Sequence, residues 1–478
     1  MSASRNGSIV GATRRLVRGV ETETPQQRWR RGTAHHLLSS ITRRHFLMLI
    51  GAAAGCGVFS GSTESGQVTP IDSARMAANN VLRRSMDIPM DPPAGALWPS
   101  YPMNYRNHFR ELVRCGEHIL YVAGKGSDSN PGTLDAPLRQ INTAIRRALP
   151  GYLILVDSGV YGLTEVYDFK GSPDQWLGIM TLNDQANAVI NVPSPTDNFV
   201  NVIGSSYVGI YGFEVYGQQD NPNTNGSGIS VHGNSHHIAL WKNHVHDFPG
   251  GGINCFDVDG SHDALDLRFN IIHGTSRYNP HNTSGISIFA SRDLTEGATF
   301  SDGYGYRIVG NYIYDVECAV PYTLRGLDYV TDGNGISLDS IRSSYGYIKP
   351  ILVAGNIVAG CGGRAVYAFE TVNVDVCYNT AVGNLRTNSP AITKGVELQG
   401  KTDHTVQIID NVICPLNTPN STDPISTYAG NVIAGGSQAV PSGNVDQRSA
   451  GLSYFTGPLS ANSLRIGPPI AAFTPASP

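Results

Sequence analysis

The stretch VAGNIVAG, Val353 to Gly360, is one copy of a pattern that runs through most of the chain. An Asn followed two places later by an apolar residue recurs in LWKNHVHD around Asn243, LRFNIIHG around Asn270, IVGNYIYD around Asn311 and VCYNTAVG around Asn379. Two more copies, IIDNVICP and YAGNVIAG, carry Asn411 and Asn431. The intervals are 27, 41, 45, 23, 32 and 20 residues. A spacing that never falls below twenty and sometimes nearly doubles is that of a repeat with loops inserted in some copies.

The composition agrees with short strands joined by tight turns. Of 478 residues 54 are Gly and only 15% are charged, and Asn-Gly and Asp-Gly pairs are frequent. Charge is unevenly spread: the first 56 residues hold nine Arg, no Lys and two Glu. Without them, 25 of the 34 basic and 36 of the 38 acidic residues remain, a net charge of −11. So acidic a chain is no nucleic-acid binder, and it is compatible with a bound cation.

The basic segment reads as an address. TRRHFLMLIGAAAGC, Thr42 to Cys56, pairs Arg43 with Arg44 ahead of a short apolar run, the pattern of a twin-arginine export signal. The run is too short to span a membrane. Export to the periplasm, the medium or the cell surface is expected, with Cys56 a candidate lipid anchor. Residues 1–66 are assigned to this signal and its flank, 67–118 to a Pro-rich linker, 119–436 to the folded domain and 437–478 to a tail. Six cysteines follow the signal, with neither CxxC pairs nor His spacing, so they imply no zinc site and no disulfide framework. Buried free thiols and a monomer are expected.

The folded part opens at ILYVAGKGSDSNPGTLDAPLRQINTAIRRALPGYLILVDSGVY, Ile119 to Tyr161. A strand and a turn-rich loop precede a helix, whose apolar face is read as Leu138, Ile141, Ile145 and Leu149 and which Pro150-Gly151 stops. One helix ahead of a long run of strands suits a solenoid, whose first coil has an apolar end to cover. This segment resembles the opening of secreted right-handed parallel β-helix proteins, above all the pectate and alginate lyase groups, and the resemblance covers residues 119 to about 436. It implies an all-β solenoid with an N-terminal capping helix. Coils would stack at about 4.8 Å, so that equivalent Asn side chains bond from coil to coil. Val245, Ile272, Ile313, Val358, Ala381 and Ile413, two after their Asn, would point inward.

A second recurring unit describes a face. GISVH (228–232), GINCF (252–256), GISIF (285–289), GISLD (335–339), AVYAF (365–369) and GVELQ (395–399) align as one strand position in successive coils. Their second and fourth residues fill the core; the third and fifth face outward. The outward set includes His232, Phe256, Phe289, Tyr367 and Phe369, which with Arg342 and Glu370 make a substrate-binding set suited to sugar rings and hydroxyls. Asn334, Arg364 and Lys394 precede the unit in three neighbouring coils, with Asp332 and Asp339 beside them. Arg364, Asp332, Asp339 and Lys394 are the candidate catalytic residues, and the two aspartates candidate Ca²⁺ ligands. His246, His273 and Tyr314 form a further stack, near which Tyr278 and His281 are expected. His273 and Tyr278 complete the catalytic set.

The resemblance implies an enzyme that degrades an acidic polysaccharide by β-elimination. Family-nine pectate lyases carry an NGFKLG-like strand whose Lys is the base; here the strand is NGISLD, with Ser337 at that position, so Arg364 becomes the base candidate. Glycoside hydrolysis, using two of Asp332, Asp339 and Glu370, is the alternative. Hydrolases on this fold usually show an Asp-Asp pair and a Gly-His-Gly turn, and neither is present. A non-catalytic glycan-binding or attachment solenoid is the third reading.

Overall fold

The computed structural model describes residues 105–449, apart from 115, 117, 185–186, 193–197, 218–225, 257–261, 342–345, 402–404 and 421. Arg43, Arg44, Cys56, Cys115 and Arg342 therefore lie outside the described residues. Among the described residues the strands form three sheets in which every pairing between strands is parallel, and each coil from Tyr152–Val156 to Leu398–Lys401 adds one strand to each sheet. One coil runs Tyr306–Val309 in sheet A, Tyr312–Tyr314 in sheet B and Ile336–Asp339 in sheet C, then returns to sheet A at Ile351–Ala354. Sheets A and B have eleven strands each and sheet C eight. This is a parallel β-helix. Its last strand, Val445–Asp446, falls in the stretch read as a tail.

The repeat that opened the sequence is the corner from sheet A to sheet B. The residue before each ladder Asn is left-handed: φ is 55° at Lys242, 56° at Phe269, 67° at Gly310, 64° at Gly355, 57° at Tyr378, 55° at Asp410 and 67° at Gly430. That single bend turns the chain, and the Asn that follows is fully enclosed. Each Asn then donates Nδ2–H to the Oδ1 of its counterpart in the next coil. The distances are 3.2, 2.9, 2.9, 2.9, 3.0 and 2.9 Å from Asn243 to Asn431. A further step of 2.8 Å reaches Asn444. Second donations go to main-chain carbonyls, as from Asn311 to Leu267 at 2.9 Å. No amide in the row is left unpaired, which at a buried site would cost about 1–3 kcal/mol each.

The core is continuous along the axis. Ile229, Ile253, Ile286, Ile336 and Val366 pair in register as one interior column, none more than 1% exposed. Val245, Ile272, Ile313, Val358, Ala381 and Ile413 line the same interior from sheet B. Cys255, Cys318, Cys361, Cys377 and Cys414 are free and buried.

Two helices depart from expectation. Helix α1, Tyr105–Val113, lies within the stretch read as linker. Its Phe109 and Val113, one turn apart, pack on the outside of sheet A against Leu153, Met180, Tyr211 and Trp241. Helix α2, Ile141–Arg147, is shorter than the expected face: Leu138 is buried ahead of it and Leu149 is 62% exposed beyond it. Ile141, Ala144 and Ile145 enter the main core, and α2 packs against Thr164–Tyr167, the end strand of sheet C.

The last unit on sheet C is two residues out of the expected register. Val366 pairs with Leu398, Tyr367 with Gln399 and Phe369 with Lys401, so ELQGK, not GVELQ, is the sixth copy. A slip of two keeps every apolar residue on its own face, so alternation alone does not reveal it.

Candidate functional site

Two outward columns cross sheet C. Ser230, Asn254, Ser287, Ser337, Tyr367 and Gln399 form one, and Phe289, Asp339, Phe369 and Lys401 the other, with His232 on an earlier strand. Ser337 and Asn254 are enclosed, while Phe256 is 40% exposed just past its strand and Phe289, Phe369 and His232 are half-buried. The loops that gather beside this face, 315–333 and 383–394, have a small core of their own in Cys318, Val330, Leu385 and Ile392. None of the three Phe belongs to it.

Asp332 is the centre of the polar patch. It stands in the loop before Ile336–Asp339 and accepts hydrogen bonds from Asn334 Nδ2 and Thr331 Oγ1, each 2.7 Å. Burial pushes its carboxyl up to about 7; the Asp339 charge adds to this, while the hydrogen bonds and Arg364 oppose it. Asp339 is also raised, first by burial and then by Glu370, with Ser340 and Arg325 pulling the other way. Two neighbouring carboxyls that hold protons more tightly than usual suit acid–base work.

As the candidate base, Arg364 should be open to a substrate. It is 5% exposed instead. Its side chain donates to Gln399 Oε1 and to the Ala391 carbonyl, the latter at 2.8 Å, and its guanidinium lies 4.1 Å from the centre of the Tyr367 ring. The loop 383–394 supplies that carbonyl and covers the residue. Burial lowers its pKa, while Tyr367 and Asp332 oppose the shift. A guanidinium held on three sides positions its neighbours and makes a poor mobile base. Its column neighbour is Asn334, as expected, but the two-residue slip puts Val396 and not Lys394 beneath it. Lys394 is exposed and lines a hollow of about 510 Å³ with Gln399, Asn420 and Asp423.

His273 does not join this patch. His273 faces outward from sheet B, where its ring stacks on His246 at 4.9 Å and on Tyr314 at 4.5 Å. Tyr278 lies in the following loop, its N–H bonded to the Pro249 carbonyl at 3.0 Å. Successive sheets of the solenoid face different directions, so Asp339 and His273 belong to different surfaces. Sequence reasoning missed Lys401 and Arg325 and set Gln399 beside Phe369 rather than Tyr367, all dependent on register or loop path. It also missed His244, whose signal was present: His-x-His on a strand puts both rings on one face.

No family model and no curated protein sequence matches the chain. Among solved structures it is similar to a GH136 lacto-N-biosidase from Eubacterium ramulus, with 15% identity, TM-score 0.46, and 76% of this chain covered against 64% of that one. It is also similar to the pectate lyase Pel9A, with 15% identity, TM-score 0.39 and coverage of 68% and 82%. An alginate lyase from a Paenibacillus species gives 14% identity, TM-score 0.35 and coverage of 61% and 83%. The chain thus spans less than two thirds of the length of the first of these. At such identities and scores these likenesses carry no argument about activity; the chain's own parallel strand order makes it a right-handed parallel β-helix.

Proposed function

We propose that the protein is a carbohydrate-active enzyme that cleaves glycosidic bonds in a polysaccharide lying along the outer face of sheet C. The observation that carries this reading is Asp332, a half-buried carboxyl whose pKa is pushed up to about 7 beside a second carboxyl, Asp339. An acid that keeps its proton near neutrality can deliver it to the leaving oxygen. The partner carboxylate then activates water or meets the charge that develops on the sugar. Phe256, Phe289 and Phe369 offer apolar surfaces for sugar rings along the same column. With Arg364 held by Gln399, Ala391 and Tyr367, elimination loses its expected base, so hydrolysis is the first reading.

Elimination at uronate residues is the second reading, favoured by that same fixed guanidinium beside the carboxyls. Ca²⁺ would belong to it: Asp332 and Asp339 are the oxygen donors this ion requires, and would neutralise the uronate through it. Incubating the protein with neutral glycans and polyuronates, with and without Ca²⁺, separates the two. Hydrolysis yields new reducing ends alone; elimination adds the ultraviolet absorbance of an unsaturated product. A solenoid that only binds glycan yields neither, and that result overturns the proposal. Export by the twin-arginine route is part of the reading, and replacing Arg43 and Arg44 with Lys should retain the protein in the cytoplasm.

A further inference from the structure

Sheet B carries a cluster that the proposed reaction does not use. His244 and His246 leave the strand His244–His246 on one face, and His273 lies beside His246 in the next coil. Glu214, one coil earlier, pairs with His244. The cross-strand diagonals are the contacts that matter. His244 Nε2 stands 2.9 Å from His273 Nε2, and His246 Nε2 stands 3.2 Å from Glu214 Oε1. The other ring nitrogen of His246, Nδ1, is 2.9 Å from Asp247 Oδ2. Tyr216 and Tyr314 close the two ends of the ring stack, 5.0 Å from His246 and 4.5 Å from His273.

We infer that His244, His246 and His273, with Glu214 as fourth ligand, bind one divalent transition-metal ion of the zinc type. One ligand atom from each of the three imidazoles lies within 4.8 Å of the others. Ligands of a tetrahedral zinc at bonds of about 2.0–2.1 Å stand roughly 3.4 Å apart. The His244–His273 and His246–Glu214 edges are already within a few tenths of an ångström of that length, and the remaining edges need the rings to draw inward. Asp247 completes the arrangement: a carboxylate on the far nitrogen of a ligating imidazole fixes its tautomer and orientation. Without an ion, only one of the two facing Nε2 atoms of His244 and His273 can carry the proton between them, and a metal takes that proton's place. The ion would tie three successive coils together.

The test uses the whole exported chain, freed of metal with a chelator and then titrated with Zn²⁺ by calorimetry, and separately with Co²⁺. One ion per chain at micromolar affinity or tighter, the visible absorption of tetrahedral Co²⁺, and a melting temperature several degrees higher in excess metal are expected. His273→Gln should abolish the Co²⁺ spectrum, and His281→Gln, in the neighbouring loop, should leave it unchanged. Should His273→Gln fail to fold, Glu214→Gln decides: its carboxylate is partly exposed, and its loss should weaken binding tenfold or more. No saturable binding by the native chain, or binding that neither His273→Gln nor Glu214→Gln alters, overturns the site.

Discussion

Asp332 and Glu397 are both carboxyls whose proton is held by burial, at about 7 and about 8 respectively, yet they stand on opposite sides of one wall. Glu397 falls in the column of Gly335 and Ala365, just ahead of the sheet C strand. A Cβ at Gly335 would sit 2.3 Å from Val358 Cγ1, so this column points into the solenoid. Glu397 is fully enclosed there and accepts from Asn384 twice, from N–H at 3.0 Å and from Nδ2 at 2.6 Å. Asn384 in turn caps the N–H of Cys361. The inner carboxyl thus ends a structural chain of hydrogen bonds. The outer one faces Arg364, Asp339 and solvent. A raised pKa marks both, and under the proposed function access alone separates the catalyst from the structural group.

The largest expected effect breaks that comparison directly. Asp332→Asn should cut turnover on the true substrate by about a hundredfold or more, as loss of a general acid does. Glu397→Gln should leave turnover within about twofold of wild type, because no substrate atom reaches it. Equal losses in the two variants, measured in preparations with unchanged circular dichroism, would mean that Asp332 is structural too.

Arg364→Ala sharpens the outer side. Its guanidinium lies between Tyr367, Gln399 and Ala391, so removal should cost about 2 kcal/mol in denaturant unfolding as well as roughly tenfold in turnover. Loss of the guanidinium also withdraws the charge that opposes the raised pKa of Asp332, so the alkaline limb of the activity profile should move up in pH. A profile that stays fixed separates Arg364 from the proton transfer.

How far the sequence discloses these two sides follows from how each is specified. Every ladder Asn answers the same demand, a left-handed corner followed by an amide that reaches the next coil, so its position recurs and can be read. The inward Ile column recurs for the same reason. The outer patch repeats nothing. Asp332 depends on the path of the loop 315–333, Arg364 on its cover by 383–394, and Lys394 and Glu397 on a two-residue slip that preserves the apolar alternation. The fold was therefore legible from single residues, whereas the patch depends on loops whose lengths differ from coil to coil. The His cluster lies between these cases. Its His-x-His spacing is written in one strand, but Glu214 and His273 join only through coil pairing.

The smallest effect tests where the two carboxyls should agree. Linkage between protons and folding depends on pKa, not on access. Glu397 has a folded pKa of about 8 against an ordinary value of 4.5, and Asp332 about 7 against 3.8. Between the ordinary and the folded value, the folded chain carries the proton that the unfolded chain has lost. The stabilisation is then complete below the ordinary value and withdrawn as pH rises through the folded one. Each group contributes a slope of at most about 1.4 kcal/mol per pH unit within its window. Unfolding free energy measured in urea from pH 5 to 9, values chosen to bracket roughly both folded pKa values, should therefore fall with pH. It should fall less steeply in Asp332→Asn below about 7 and in Glu397→Gln below about 8. The comparison rests on slopes because Gln at 397 lacks one of the two acceptors that Asn384 uses, which shifts absolute stability at every pH. If only Glu397→Gln flattened the curve, Asp332 would be ionised in the free protein, and the general acid would have to be sought elsewhere on the same face.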